Sequence, residues 1–323
     1  MDHNFLLRPA HRILEQCLAL KPEETLLVLT DSDTRRFGHA FSAAGHIIGA
    51  EVVEMTMTPR SRHGEEPPRP VAAAMAGSDA IVAPTTFSVN HCNARLAASA
   101  AGARLIFMPD VSDEVFRDGS LDIDFMERKL VIDQLATILD AGQRYEATSP
   151  AGSHLTAQIS GKRAVPQSGI CHEPGTISPP PCIEVAIAPD EGTLEGVMIV
   201  DGALVPGGPT DTPTRIVFEA GRIVSIEGGA QADEFRRMLE SYDDPNMFCA
   251  VELGLGMNPN AKIGRGGGLE DEAELGTMHV GIGNGLTFGS SVRAPSHCDV
   301  VMRDAEVRID GRIILAAGEV ILT

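Results

Sequence analysis

Residues 24–59 read ETLLVLTDSDTRRFGHAFSAAGHIIGAEVVEMTMTP. The unbroken apolar run ETLLVLTDSD, with its polar exit, has the composition of a strand buried on both faces. RRFGHAFSAAGHIIGA follows with helical periodicity, and EVVEMTMTP is β-branched and strand-like again. The rhythm continues through PVAAAMAGS (helix), DAIVAPTTFS (strand), NARLAASAAG (short helix) and ARLIFMPDVS (strand). Strands alternating with helices at this spacing imply parallel βαβ units with right-handed crossovers. The N-terminal domain is therefore expected to be an open, mainly parallel α/β sheet.

LDIDFMERKLVIDQLATILDAG, residues 121–142, reads as a long amphipathic helix with Phe125, Leu130, Ile132, Leu135, Ile138 and Leu139 available for its buried stripe. Beyond it the chain changes character. RYEATSPAGSHLTAQISGKRA has hairpin character, with Gly161-Lys162 as a turn candidate. SGICHEPGTISPPPC is a Pro- and Gly-rich loop, too kinked for an element. Short strands joined by Gly turns follow in IEVAIAPDEGTLEGVMIVDGALV and TRIVFEAGRIVSIEGG, then one helix in ADEFRRMLESY. At 323 residues two domains are the natural expectation. The division falls at residues 1–142, α/β, and 143–323, an α+β, mostly antiparallel domain.

Composition excludes several functions. With 45 acidic against 26 basic residues the net charge is −19, which opposes a nucleic-acid groove. There is no Trp, and only Tyr145 and Tyr242 could stack on bases. Six scattered cysteines form no CxxC pair, as expected of reduced thiols. No apolar run reaches membrane-spanning length, and MDHNFLLRPAHRILEQCLAL reads as an amphipathic helix rather than a signal peptide, so a cytoplasmic location is expected. Neither GxGxxG after the first strand nor GxxxxGK[ST] occurs. Ligands of open α/β sheets bind beyond the carboxyl ends of the strands, which points to the loops at 30–33 and 84–91. There SVNHCNAR puts His91 and Arg95 at a strand exit and helix start, where they either face a substrate or serve as cap and surface residues.

The chemistry concentrates between Glu252 and Asp299. His297 and Asp299, two apart in SHCDVVM, share a face of an extended strand and can grip one ion. His279 in TMHVGIG and Glu252 in VELGLG lie on further strand-like segments. Oxygen and imidazole donors on neighbouring strands suit a borderline divalent cation such as zinc, manganese, cobalt or iron. Cys298 points to the opposite face, and no GxSxG nucleophile elbow exists.

From about residue 179 to the C-terminus, and more weakly throughout, the chain resembles the thermophilic metalloaminopeptidases typified by aminopeptidase T. The shared order is the Pro-rich approach to Glu184 with VAIAP after it, EGVMIVDG, VELGLGMNPNA, EDE before GTMHVGIG, and HCD before VVM. The resemblance implies two domains enclosing a cleft and a metal centre of one or two ions. Its implied ligands are Glu184, Glu252, an acidic residue of EDE, His279, His297 and Asp299. Glu272 lies seven residues before His279 and keeps the family's Asp-Glu pair, whereas Glu274 has the family's spacing of five; both stay open, with Glu272 preferred. Ile183-Glu184 stands where the family has two glutamates, and its tyrosine after the first histidine is absent from VGIGNGLTFG.

The same fold serves a ring-cleaving branch, the 2,5-dihydroxypyridine dioxygenases, which hold one Fe(II) with two His and one Asp. In that branch a His stands where this chain has Glu252. The expectation drawn from that difference, and from His279 with the EDE run matching the hydrolase pattern, is a metallohydrolase, aminopeptidase-like, in which metal-activated water cleaves an amide bond. Glu252 would bridge, and Glu184 would be a ligand or the general base. The alternative is an Fe(II)-dependent dioxygenase acting on a hydroxylated pyridine or similar ring. The expected cofactor is zinc, cobalt or manganese for the hydrolase and Fe(II) for the dioxygenase. The expected partners are a small molecule or short peptide, touched by His91 and Arg95 in the cleft, and further copies of the chain; no nucleic acid or membrane is expected.

Overall fold

The computed structural model describes residues 4–117 and 119–322. Two compact units divide the chain. Residues 1–129 and 168–181 form the first, residues 130–167 and 182–323 the second. The division differs from a single cut after residue 142. The long helix starts at the seam, and the Pro-rich segment at 168–181 returns to the first unit.

The first unit begins with helix α1 (Asn4–Arg12), which runs into a π-helical turn at Ile13–Cys17. Residues 1–3 of the amphipathic helix read from the sequence lie outside the described residues. The expected alternation follows: β1 (Thr25–Asp31), α2 (Arg35–Ile48), β2 (Glu51–Met57), α3 (Arg69–Ala76), β3 (Ala80–Thr85), α4 (Asn93–Ala100), β4 (Arg104–Pro109) and α5 (Asp113–Arg117). The strands pair in parallel in the order β2-β1-β3-β4. Burial explains their composition. β1, β3 and β4 lie inside the sheet and are apolar along nearly their whole length, whereas β2 is the edge and exposes Glu51 and Glu54. Leu27, Leu29, Ile81, Ala83, Leu105 and Phe107 pack with Val71, Met75, Ala94 and Ala98 of α3 and α4.

Helix α6 (Phe125–Ala141) passes from the first unit into the second after residue 129 and leads into β5 (Arg144–Thr148) and β6 (His154–Gln158). Phe125, Ile132, Leu135 and Leu139 are buried as the periodicity requires, but Leu130 is 64% exposed and drops out of the stripe. The β5–β6 hairpin turns at residues 149–153, and Gly161, at φ +72, makes the next turn towards β7 (Val165–Gln167). The segment read as featureless loop holds β8 (Ile177–Ser178), a fifth parallel strand beside β4 in the first unit. Two residues carry no periodicity, so only the partner strand reveals it.

The remainder is antiparallel, as its alternating, Gly-punctuated strands predicted: β9 (Glu184–Ile187), β10 (Glu195–Val200), β11 (Ala203–Val205), β12 (Gly208–Pro209), β13 (Thr214–Glu219), β14 (Arg222–Glu227), α7 (Ala230–Ser241), β15 (Ala250–Gly256), α8 (Gly268–Asp271), β16 (Met278–Gly283), β17 (His297–Met302), β18 (Glu306–Ile309), β19 (Arg312–Ala316) and β20 (Glu319–Val320). One sheet has the order β14-β13-β10-β6-β5-β18-β19-β20 and the other β12-β11-β17-β16-β15-β9-β7. The expected fold class, α/β followed by mostly antiparallel α+β, is the one observed. Among the described residues no helix is long and apolar enough to cross a membrane, and all six cysteines are free and buried.

Candidate metal centre

Four adjacent strands of the second sheet, β9, β15, β16 and β17, build the site. Strand alternation sends Val185, Leu253, Leu255, Val280, Ile282, Cys298 and Val300 to one face, where they are buried, and Glu184, Glu252, His279, His297 and Asp299 to the other. Register then decides which of these meet. Glu252 is paired with Gly281, His279 with Gly254, Asp299 with Gly281, His297 with Gly283 and Glu184 with Gly256. Every large polar side chain thus lies across from a glycine. A Cβ on Gly254 would fall 2.0 Å from His279 Nε2, and one on Gly281 would fall 2.6 Å from Glu252 Oε2 and 2.7 Å from His297 Cε1. The glycines make the room in which the imidazoles and carboxylates converge.

Two triads result, each with its ligand atoms within 4.8 Å of one another: Glu184, Glu252 and His279, and Glu252, His297 and Asp299. Glu252 is common to both. His279 Nε2 lies 3.1 Å from Glu184 Oε2 and 3.6 Å from Glu252 Oε1, and His297 Nε2 lies 3.1 Å from both Glu252 Oε2 and Asp299 Oδ1. The other nitrogen of His297, Nδ1, donates to the Asn284 carbonyl oxygen at 2.9 Å. A carbonyl only accepts, so Nδ1 carries the proton, and in the neutral ring the Nε2 lone pair is turned into the site.

Glu272 is the C-cap of α8, and its side chain hydrogen-bonds with that of Cys182. It stands outside both triads, but its carboxyl hydrogen-bonds with Asp299 and feels the charges of Glu184 and Glu252. Glu274 does something else: it binds Lys262 Nζ at 2.9 Å, Arg303 Nη1 at 3.3 Å and the Ile263 N–H at 3.0 Å. Burial pushes its carboxyl up, yet these donors together hold it below the usual carboxylate range. Of the two open glutamates, Glu274 ties down a loop and Glu272 adjoins the cluster.

The electrostatics describe a charge deficit. Four carboxylates, Glu184, Glu252, Glu272 and Asp299, share the site, and among the described residues no lysine or arginine pairs with any of them. Taking carboxylates out of water costs several kcal/mol each unless a countercharge is present. Protons substitute for it. Burial, reinforced by Glu252 and Asp299, raises Glu184, and burial with Asp299 and Glu184 beside it raises Glu272 well above the ordinary value. Burial alone would lower both imidazoles, but Glu184 and Glu252 push His279, and Asp299 and Glu252 push His297, well above theirs. Glu184 Oε2, Glu252 Oε1 and His279 Nδ1 are buried and make no well-formed hydrogen bond, although the Nε2 of His279 lies 3.1 and 3.6 Å from the two oxygens. Orphaned acceptors converging on an imidazole nitrogen fit a cation.

Two participants escaped the sequence reading. Gln167 on edge strand β7 is in register with Glu184 and donates its amide to Glu184 Oε1; nothing local marks it, because the pairing is set across the sheet. Asn284 acts through a backbone carbonyl, which no side-chain pattern reveals. His91 and Arg95 belong to the first unit, whereas the other six residues all belong to the second. His91 is exposed, and Arg95 is half-buried in the first turn of α4, its Nε donating to the Asn90 carbonyl.

The family described as NicX, 2,5-dihydroxypyridine 5,6-dioxygenase, matches residues 6–322 of the chain. The chain belongs to this family. A curated relative, the 2,5-dihydroxypyridine 5,6-dioxygenase of Pseudomonas putida, is 26% identical over 197 residues, 57% of this chain and 56% of that enzyme, so the alignment spans little more than half of the relative. In solved structures the fold recurs in a 2,5-dihydroxypyridine dioxygenase from Pseudomonas putida, with a TM-score of 0.83 at 20% identity over 99% of this chain and 98% of the other. It also recurs in AmpT from Thermus thermophilus, with a TM-score of 0.71 at 16% identity over 98% and 99%. At such identities these two establish the fold alone.

The protein is therefore an enzyme, and the expectation of a hydrolase, with its aminopeptidase and metalloprotease character, is corrected: the family and the curated relative are dioxygenases. The physical reason is plain. Carboxylate and imidazole donors in one order along one fold serve a Lewis-acid metal and a redox metal alike. Glu252, and His279 following the EDE run, therefore do not distinguish the two chemistries.

Proposed function

We propose that the protein is an Fe(II)-dependent dioxygenase that opens a hydroxylated pyridine or a chemically similar ring. The observation that carries this reading is the family match over residues 6–322, on a chain whose buried donor set calls for a cation. His297 and Asp299 with Glu252, and His279 with Glu184 on the other side of Glu252, are the residues that would hold the ion. Histidine and carboxylate donors that leave coordination positions open are the usual setting of non-haem Fe(II) oxygenases, and the ion supplies the redox chemistry towards O2 that protein side chains lack.

The chain's own residues do the rest. Asn284 fixes His297 in one orientation and tautomer, and Gln167 holds one oxygen of Glu184, leaving Oε2 facing His279. Glu252 and His279 are each 1% exposed, so water is excluded from the inner side of the site. Glu272, beside Asp299, is placed to hold or take up a proton at its carboxyl when an acidic ring hydroxyl binds. Arg95 and His91 are proposed substrate contacts, the guanidinium being suited to an anionic oxygen.

The test is oxygen uptake by protein reconstituted anaerobically with Fe(II). Consumption of O2 on adding 2,5-dihydroxypyridine, with loss of the ring's absorbance and none after chelation, is expected. No uptake with any dihydroxypyridine or related hydroxylated ring by fully loaded protein would overturn the proposal.

A further inference from the structure

Exposure around the candidate metal centre is uneven. The side chains of Glu252, His279, Glu184 and Asp299 are 1, 1, 4 and 9% exposed, but that of His297 is 27% exposed. The site therefore opens at His297. One aromatic residue flanks that opening: the Phe288 ring lies with its centroid 5.4 Å from that of the His297 imidazole, tilted by 30°. It sits on a 3-10 turn, Leu286–Phe288, whose Leu286 is itself 43% exposed.

The turn is held firmly. Glu191 accepts hydrogen bonds from Ser290 Oγ, Ser291 N and Ser291 Oγ at 3.2, 2.7 and 3.0 Å. Gly285 N donates to the Val292 carbonyl, Asn284 N to that of Ser296, and Asn246 Nδ2 to that of Arg293. Gly289, at φ +83, lets the chain reverse immediately after Phe288. A half-exposed aromatic ring on a turn anchored at both ends, packed beside the partly exposed His297, is in the position of a recognition surface.

We propose that Phe288 determines specificity by providing an aromatic wall against which a flat ring substrate lies as it enters beside His297. The proposal deepens the ring-cleavage reading and rests on it. Aromatic rings associate edge-to-face or offset at centroid separations of about 4.5–7 Å, so a planar ring gains from Phe288 what a flexible aliphatic or peptide chain does not.

The test compares Phe288→Ala, Phe288→Leu and Phe288→Tyr in Fe(II)-loaded protein. Expected for Ala and Leu is a rise of roughly three- to tenfold in KM for 2,5-dihydroxypyridine, with kcat changed by less than about twofold and iron stoichiometry unchanged. Tyr should restore the wild-type KM. Anaerobic calorimetry should show the same loss in the Kd of the ring, a readout independent of turnover. If Leu restores KM, bulk rather than aromaticity matters and the proposal falls. If Ala loses iron, or kcat collapses at constant KM, Phe288 merely supports His297 and the proposal likewise falls. Wild-type turnover with unchanged KM in Phe288→Ala would overturn the wall alone, whereas absence of wild-type turnover on every hydroxylated ring would overturn the ring-cleavage reading with it.

Discussion

Adding one methyl group at Gly254 is expected to disable the metal centre from the neighbouring strand. A Cβ there would stand 2.0, 2.3 and 2.7 Å from the Nε2, Cε1 and Cδ2 of His279, against the 3.4 Å at which ordinary contact begins. The imidazole must therefore move by roughly 1.4 Å, and it is only 1% exposed, in an interior that packs as densely as other protein cores. Overpacking of this kind costs about 1–3 kcal/mol, a few degrees in Tm, which a protein of this size survives. The larger consequence is geometric. Functional constellations tolerate about 0.5 Å of displacement, and a misplacement of about 1 Å costs on the order of a hundredfold in rate. Gly254→Ala should thus fold, melt slightly lower, bind less iron and lose about a hundredfold or more in oxygen uptake. Gly77→Ala is the matched control: its Cβ would meet nothing nearer than 3.5 Å, and its φ of −101° suits alanine. Elemental analysis after reconstitution, a thermal melt and the oxygen electrode give the three readings. Full iron occupancy and wild-type uptake in Gly254→Ala would refute the argument that glycine gaps house the ligands.

His297→Ala and Asp299→Ala should each abolish bound metal while near-native circular dichroism is retained; full occupancy in both by elemental analysis would dismiss the site assignment. Glu272→Gln and Glu274→Gln should part company: the first lowers metal content or turnover, whereas the second keeps both and lowers stability by about 1–3 kcal/mol, the worth of charge-assisted hydrogen bonds, as read from denaturant melts. Glu184, Glu272, His279 and His297 all bind protons more tightly folded than unfolded, so the native metal-free protein holds more protons and its stability should fall as pH rises from the unfolded carboxyl range through neutrality. Asp299, lowered by His297 against the effect of burial, works the other way and only trims that slope. The same protons must leave when a cation enters, so metal affinity should rise with pH and weakly buffered protein should acidify on metal addition; an affinity independent of pH between about 6 and 8 would contradict the assigned charge deficit.

What could be read along the chain was whatever depends on neighbours in sequence. The buried strands of the first unit announced themselves as apolar runs between helical stretches, and the i, i+2 spacing of His297 and Asp299 placed both on one face before any partner strand was known. What depended on pairing across strands could not be read. Gln167 meets Glu184 and Gly254 meets His279 only because of sheet register, and the two residues of β8 are a strand only because β4 lies beside them. The choice between Glu272 and Glu274 turned on one short helix: ending α8 at Glu272 sends one carboxylate to Asp299 and leaves the other to Lys262 and Arg303.

Glu252 shows how little a ligand set by itself says about the reaction it serves. A carboxylate in place of an imidazole suggests a bridged hydrolytic centre, and the structure does place Glu252 between two histidines, one on each of its oxygens. That geometry speaks about charge and about how many donors converge; it does not speak about electron transfer, which depends on the ion that binds and on what reaches its open positions. The features of this chain that bear on the reaction lie outside the donor set. Beside His297, the most exposed of the five clustered donors, the chain presents Phe288, a side chain with no acid, base or hydrogen bond to offer; under the proposed ring-cleavage reading its flat apolar face is what a ring substrate would meet. Donor residues thus propose where a cation sits, and the reaction has to be argued from what surrounds them, which for this chain is the case the Phe288 variants decide.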